Sequence, residues 1–380
     1  MNKLLRRLAV AAAVLAALYV TAWWFLGRGE SMPDRTAAPL FPGSAIEVVA
    51  DLALPPGNIA VSDTGRVFFS FHPEGAPLVK VAEIVDGKPS PFPSEEWQRP
   101  APGIPYFQTP LAVRIDRQNR LWVLDPASYA TGTPRILAFA LDSRDLVYQY
   151  DFPNEVAGFG SMLNDFQVDP AGERIYIAEA SPFLHTPAIV VLDVAAKKSR
   201  RVLDGDRSLM PERYLIRAGG REMVMLGVYA LRIGVDTIAL DRTGEWLYFG
   251  PVNGDRLYRA RADDLVDESL APETLASRVE DYSEKTLSDG GSTDADGNVY
   301  LTDMEHDAIL RVTPRRELQT LVKDRRLRWP DGLSFGPDGW LYVTCSALHQ
   351  VILKSESDVR AAAPYQIYRF KPGSLGVPGH

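Results

Sequence analysis

The sequence contains very little cysteine: Cys345 is the single thiol in 380 residues. One cysteine excludes an internal disulfide, so the fold depends on an apolar core rather than on covalent cross-links. The overall composition, with 46% hydrophobic and 24% charged residues, is sufficient for such a core. Cys345 lies in an apolar, strand-like run, where we expect a buried structural thiol rather than a nucleophile.

Sequence signatures of several enzyme classes are also missing. The chain has no HExxH metal motif, no GxSxG nucleophile elbow and no phosphate-binding P-loop. The formal net charge is −8, and basic residues form no cluster in the body of the chain. We therefore expect no nucleic-acid partner.

What the sequence does contain is a hairpin pattern that occurs six times. Each copy is an apolar strand, a tight turn rich in Asp and Gly, and a second strand that carries an aromatic residue, as in residues 331–344. Glycine supplies the left-handed backbone of such a turn, and the Asp before it can bond to its own backbone. The aspartates that mark the six turns are at positions 63, 116, 169, 241, 296 and 338, in steps of 53, 53, 72, 55 and 42.

A period near 50 residues in β-rich units is typical of a propeller, in which each sheet buries its faces against its neighbours. The repeat therefore predicts an all-β, six-bladed β-propeller over residues 45–375, preceded by an N-terminal hydrophobic helix. We expect residues 46–54 to close the ring beside the strand at 365–370. The longest step contains an insertion at 204–231, which we expect to form a loop or flap over one face.

The N-terminal residues differ in kind from this body. Lys3, Arg6 and Arg7 precede an uncharged run of 19 residues, 8–26, which is just long enough to span a membrane. Residues 1–29 are thus predicted to be a signal anchor or a signal peptide, with the anchor favoured, and residues 30–44 to be a linker. Because the positive flank stays cytoplasmic, the body is expected to be periplasmic or extracellular, as a monomer, held by 8–26 in the inner membrane if the helix is uncleaved.

Four blocks of sequence carry a family resemblance. Residues 120–125 read RLWVLD, residues 91–97 form a Pro-Phe-Pro segment ending in Trp97, and two further blocks lie at 164–169 and 238–251. They resemble the major royal jelly/yellow protein family, and in particular its bacterial members related to L-dopachrome tautomerase. The resemblance implies a six-bladed propeller, export, and either ligand binding or dopachrome-type isomerisation. Insect members usually carry more cysteines and glycosylation sites, so their substrates do not transfer directly.

A second resemblance points to different chemistry. Residues 331–343 are also similar to the senescence-marker/gluconolactonase propellers. This resemblance implies a divalent metal at the channel mouth. The enzyme alternatives are therefore a dopachrome-type isomerase and a metal-dependent lactonase. Two classes without turnover also stay open: a protein that only binds a small ligand and a protein-interaction scaffold.

The inner strand of each blade lines the central channel, so the residues at the strand starts should meet at one mouth. Converging carboxylate and amide oxygens suit a hard cation, which predicts a Ca²⁺ site. The alternative is that each Asp or Asn only caps its own strand by bonding local backbone amides. The predicted ligand-binding residues are Asn58, Asn164, Asp165, Asp236 and His306; the predicted metal ligands are Asn164, Asp236, Asp289 and Asp331; and the predicted catalytic residues are Asp331 and Asp289.

Overall fold

The repeat folds into a closed ring of blades. In the computed structural model, which describes residues 3–102 and 105–379, six four-stranded antiparallel sheets are present, and the inner strand of each contacts the inner strand of the next, with the sixth meeting the first. The first three blades are blade 1 (Pro56–Val61, Val67–Phe71, Val81–Val85, Lys88–Pro91), blade 2 (Ala112–Ile115, Arg120–Asp125, Arg135–Ala140, Leu146–Asp151) and blade 3 (Leu163–Val168, Arg174–Glu179, Ala188–Asp193, Lys198–Val202). The others are blade 4 (Val235–Leu240, Trp246–Pro251, Arg256–Arg261, Glu280–Glu284), blade 5 (Gly291–Thr293, Val299–Asp303, Ala308–Val312, Leu318–Lys323) and blade 6 (Pro330–Phe335, Leu341–Cys345, Tyr365–Phe370, Glu47–Leu52). The predicted six-bladed propeller is confirmed.

The two ends of the repeat meet in blade 6. Its outermost strand, Glu47–Leu52, comes from the N-terminal side and pairs antiparallel with Tyr365–Phe370. Glu47 lies opposite Arg369, and the two side chains form an ion pair with a 2.8 Å contact. Ring closure by the N-terminal strand is thus confirmed.

In five of the six blades, the turn between the first two strands is held by a side-chain acceptor at its first residue. In blade 2, Asp116 accepts the backbone N–H groups of Gln118 and Arg120 and also the indole N–H of Trp122 at 2.6 Å. Asp294 plays the same part in blade 5, where it accepts the hydroxyl of Tyr300 at 2.8 Å. In three blades the first turn position is therefore one or two residues earlier than the sequence marker: Ser62, Asp294 and Gly336 in place of 63, 296 and 338.

Several short elements connect the blades. The insertion between blades 3 and 4 contains the strand Tyr214–Leu215 and two small ribbons, which pair Arg217–Ala218 with Arg221–Glu222 and Val224–Met225 with Tyr229–Ala230.

The helical segments of the described residues are Lys3–Ala22, Trp23–Gly27, Gly43–Ala45, Pro73–Gly75, Glu96–Gln98, Ala127–Ala130, Ala262–Val266, Pro272–Ser277, Pro337–Gly339, Leu348–Gln350 and Glu356–Ala361.

The first helix is largely apolar, and the side chains of residues 6–21 are exposed. Its apolar part, Arg6–Gly27, is long enough to cross a membrane. The segment that follows, residues 30–44, was predicted to be a linker, but it lies along the surface of the ring. Glu30–Ser31 pairs with Tyr214–Leu215, Met32 is buried, and Phe41 packs on Phe370. We call residues 30–44 the strap.

The C-terminal tail, residues 374–379, crosses the far side of the ring, where the six first turns lie. Gly376 forms a bridge with Asp294 and Pro378 with Phe335, and the N–H of Ile115 donates to the carbonyl of Gly379. The tail therefore joins blades 2, 5 and 6 and covers the far end of the central channel. The channel is left open towards the side where the inner strands begin.

The strap is expected to contribute to stability through Arg35. Its guanidinium donates to the carbonyls of Asp255 and Lys285 and to the Asp255 carboxylate, each at 2.8 Å. Arg35→Ala leaves these acceptors without their donor, so we expect the free energy of unfolding to fall by about 1–3 kcal/mol. Denaturant unfolding of the full chain in detergent measures this, with the exposed Arg325→Ala as the control that changes little. Equal stability of the two variants would contradict a stabilising role for the strap.

Candidate functional site

A cavity of about 210 Å³ opens at the end of the channel where the inner strands begin. Its floor is polar because every blade except the second places an Asp or Asn at this position. These floor residues are Asn58, Asn164, Asp165, Asp236, Asp289 and Asp331. The structure therefore brings together six of the seven site residues predicted from the sequence. We call this set the hub.

His306 is the predicted ligand-binding residue that lies elsewhere. It follows the second strand of blade 5, and its Nδ1 is within 3.0 Å of Asp303. Its Nε2 is 3.6 Å from Asp34 of the strap. Hydrogen bonding to Asp303 raises the pKa of His306, which favours the charged ring in this acidic setting. The prediction for His306 is corrected on this point: it joins the strap to blade 5 and does not line the cavity.

Arg114 contacts two of the floor residues, Asn58 and Asp165, and we include it in the hub, although the sequence did not predict it. It comes from the inner strand of blade 2, and its side chain is fully buried. Nη2 lies 3.0 Å from Oδ2 of Asp165, and Nη1 donates to the side-chain oxygen of Asn58. Asn58 in turn donates to Asp165 at 3.2 Å. Blade 2 thus contributes the cation of the hub, and an arginine inside an otherwise apolar inner strand was the available sequence signal.

Two carboxyl groups of the hub form a hydrogen-bonded pair. Asp289 bonds to Asp236 and also accepts the indole N–H of Trp329 at 2.6 Å. Burial raises the pKa of Asp289 to about 6, while burial and the neighbouring Asp289 raise the pKa of Asp236 well above its ordinary value. Two carboxylates in contact cannot both ionise easily, so the pair shares a proton near neutral pH.

The other two carboxyls of the hub have different partners. Burial, and then the charge of Asp289, raises the pKa of Asp331 well above its usual range, although a bond to Ser346 works against the shift. Burial also raises the pKa of Asp165, but Arg114 opposes this shift. Asp165 is therefore the carboxyl whose charge has a direct counter-ion, whereas Asp331 is favoured in its neutral form.

The carboxyl oxygens of the hub face hydrogen-bond donors rather than a common centre. Asn164 donates to Asp236, Trp329 donates to Asp289, and Arg114 donates to Asp165. Within residues 3–102 and 105–379, no group of three or more His, Cys, Asp or Glu side chains has the geometry of a metal site. The arrangement as it stands does not fit Ca²⁺, which needs six to eight oxygens directed at one point.

The walls of the cavity are mainly apolar. They are formed by side chains from several loops, including Leu111, Met162, Phe183, Leu231, Trp329 and Leu348. A second lobe of about 280 Å³ shares His72, Glu74, Tyr129 and Met162 with the first. Burial lowers the pKa of His72 to about 4, so its ring is neutral. Together the lobes fall in the range of roughly 300–1,000 Å³ that small-molecule sites occupy.

Tyr129 reaches this cavity from an unusual backbone turn. Ala127–Ala130 is one turn of left-handed helix, with φ of 53° at Ala127 and 57° at Tyr129. Such a conformation costs about 1–2 kcal/mol per residue, so the surroundings must hold it. Asp125 accepts the N–H of Ala127 at 3.1 Å, and the N–H of Gly160 donates to the carbonyl of Tyr129 at 2.9 Å. The last residue of the RLWVLD block thus positions an aromatic ring over the cavity.

The contribution of the Arg114–Asp165 ion pair to stability can be tested. Removal of one partner leaves the other buried without its counter-charge, so Arg114→Met should lower the free energy of unfolding by about 3–5 kcal/mol. The double variant Arg114→Met/Asp165→Asn removes both charges and should recover part of that loss. Denaturant unfolding of four proteins, the wild type, Arg114→Met, Asp165→Asn and the double variant, gives the coupling. A double variant whose loss equals the sum of the two single losses would show that the pair is not coupled.

The fold is shared with solved propellers of low sequence identity. A calcium-binding regucalcin from Agrobacterium tumefaciens superposes with a TM-score of 0.59 at 13% identity, over 90% of this chain and 98% of that one. A luciferin-regenerating enzyme gives 0.57 at 13% identity, over 88% and 97%. A gluconolactonase from Xanthomonas campestris gives 0.53 at 12% identity, over 86% and 88%. At these identities the likeness concerns the fold alone.

Comparison of the sequence with curated proteins gives no significant match. A family model does match. The family described as major royal jelly protein covers residues 108–366, which include the hub residues of blades 2 to 6 and the RLWVLD block. This match extends over more than half of the chain, and it agrees with the resemblance of the sequence blocks. The protein belongs to the major royal jelly protein family.

Proposed function

We propose that the protein binds a small, largely apolar or aromatic molecule in the hub cavity and moves a proton on it, in an isomerisation of the dopachrome-conversion type. The observation that carries this proposal is the hydrogen-bonded pair of Asp236 and Asp289 on the floor of a cavity with apolar walls. A pair with unequal pKa values offers one base and one acid at the same place.

In this step one carboxyl group of the pair accepts a proton and the other supplies one, so no further acid or base is needed. Asp289, with a pKa of about 6, is mostly ionised at pH 7 and accepts a proton from carbon or oxygen of the ligand. Asp236, whose pKa is raised well above its ordinary value, holds a proton and returns it at a second atom of the ligand. The sum is an isomerisation with no gain or loss of atoms or electrons. The proton then passes from Asp289 to Asp236 along their hydrogen bond.

The walls support a ligand with a flat, conjugated ring. Trp329 and Tyr129 flank the cavity, and both can stack on such a ring. The neutral His72 accepts the N–H of Glu74 at Nδ1, so its Nε2 carries the hydrogen and can donate to a carbonyl of the ligand. Apolar surroundings strengthen each of these polar contacts.

A calcium-dependent lactonase is the second candidate, and its support is the acidic hub together with fold neighbours described as calcium-binding and as gluconolactonases. To hold Ca²⁺, the oxygens of Asn164, Asp236, Asp289 and Asp331 would have to turn away from their present hydrogen-bond partners. A protein-interaction scaffold needs no cavity and therefore has less support, because the channel is open at the end where the inner strands begin.

Substitution of the base tests the isomerase. With L-dopachrome as the probe, Asp289→Asn should lower kcat by about 100-fold or more, which is the contribution expected of a general base. The matched control is Asp307→Asn, since Asp307 is another partly buried aspartate with a pKa raised to about 6 but does not line the cavity. Loss of absorbance of the probe gives the rates. Equal rates for the two variants would contradict the role of Asp289.

A second probe distinguishes the lactonase from the isomerase. Hydrolysis of glucono-δ-lactone that requires added Ca²⁺ and is lost in Asp331→Asn would favour the lactonase instead. If neither probe is converted while both quench the fluorescence of Trp329, with Trp329→Phe as the reference, the protein is a binder without turnover. That outcome would remove the catalytic part of the proposal.

The pH dependence follows from the two pKa shifts. Below about pH 6 Asp289 takes up a proton and loses its function as a base, so the rate should fall towards acid. At higher pH Asp236 loses its proton and its function as an acid, so the rate should fall again. The expected kcat–pH profile is bell-shaped, and Asp236→Asn should abolish its alkaline limb. A rate that continues to rise from pH 5 to 9 would contradict this assignment.

A further inference from the structure

The mouth of the cavity is surrounded by exposed apolar side chains. Leu226 is 86% exposed and follows Met225, a wall residue of the cavity. Phe183 and Leu353 line the cavity and also face outwards. Leu184 packs over Gly160, and the adjoining Phe159 is 79% exposed. We call these five residues the rim: Phe159, Phe183, Leu184, Leu226 and Leu353.

The apolar N-terminal helix ends beside this rim. Its last turn, Trp23–Gly27, contacts the ribbon that carries Leu226: the backbone of Gly27 approaches Val228, and the hydroxyl of Tyr19 approaches Gly227. Arg232, two residues after this ribbon, donates to the carbonyls of Leu26 and Arg28. The helix therefore joins the ring at the mouth of the cavity and not at its far side.

Side chains at the end of the helix are those typical of a membrane interface. Trp23 and Trp24 are exposed, and the guanidinium of Arg28 lies 4.0 Å from the ring centre of Trp24. Tryptophan and arginine at the end of an apolar helix prefer the headgroup region, where one part of the side chain is apolar and the other is hydrated. If the helix spans the membrane, the rim lies at the height of the headgroups.

The far side of the ring has a different surface. Across the described part of the chain, the six first turns of the blades carry no exposed large hydrophobic residue and the tail that crosses them carries one, Leu375, whereas the rim has five. An apolar patch of this kind on a soluble protein marks a surface that contacts a partner or a membrane. The position of the patch at the end of the helix selects the membrane as that partner.

We propose that the rim rests on the outer surface of the phospholipid bilayer that the N-terminal helix spans, so that the cavity opens towards lipid. This surface does not depend on the chemistry of the hub. It adds a class of ligand to the cavity, however, because molecules that partition into membranes would reach the mouth without crossing bulk water. Contact of the five side chains with the acyl boundary compensates for their exposure in the isolated chain.

The proposal can be tested with the full chain in phospholipid vesicles. Leu226→Cys and Leu353→Cys each receive an environment-sensitive fluorophore, and the vesicles contain phosphatidylcholine with a nitroxide near the headgroup. Cys345 is buried, and burial raises the pKa of its thiol, so it does not react. Both labels on the rim should be quenched by the lipid nitroxide and protected from iodide in the water.

The matched control is Ala171→Cys, in the exposed first turn of blade 3 on the far side of the ring. Its label should be quenched by iodide and not by the lipid nitroxide. A rim that is open to iodide overturns the proposal, and so does a rim protected from both quenchers, which would indicate cover by a second copy or another protein. Because the measurement needs no ligand, it tests the membrane contact independently of the proposed isomerase.

Discussion

The buried Arg114 at the centre of the ring lies against only one of the acidic groups around it, Asp165. Ring closure forces an Asp or Asn from five blades towards one axis, and Arg114 from the remaining blade supplies one positive charge, which lies on Asp165. The charge of Asp236, Asp289 and Asp331 is not matched by another cation among the described residues that line the cavity. Burial therefore favours protonated forms, and the hub stores protons instead of accumulating negative charge. The raised pKa values of these carboxyl groups are in this sense a consequence of the topology.

The floor and the walls of the cavity are built differently. Its floor is built on the first residues of the inner strands, which are rigid because each strand is bonded to its own sheet and packed against both neighbours. Its walls are built on loops, and here local backbone strain is used: the left-handed turn that carries Tyr129 is held by Asp125 and by the N–H of Gly160. The structure thus explains two residues of the RLWVLD block: Trp122 donates to Asp116 of the first turn, and Asp125 holds the turn that carries Tyr129 at the cavity.

The features that could be read from the sequence are those that repeat. Alternating strands, turn residues and the Asp or Asn at the strand starts recur in register, so the blades and most of the hub could be predicted before any contact was known. Arg114 was missed because blade 2 departs from that repeat, and Tyr129 because nothing local marks four successive left-handed residues without glycine. The position of His306 and the course of the strap depend on contacts between distant segments, such as Asp34 with His306, which no local pattern encodes. The repeat specifies the ring but not its activity, because one fold can host many functions and the activity depends on the few side chains at its centre.

The C-terminal tail gives the channel the form of a well with one opening. Bridges from Gly376 to Asp294 and from Pro378 to Phe335 cover the far end, and the inner strands leave the other end accessible. A molecule that enters must leave by the same route, and a second one cannot follow until the first has departed. While the tail stays in place, a solute therefore cannot pass through the ring, and both entry and exit are confined to the mouth.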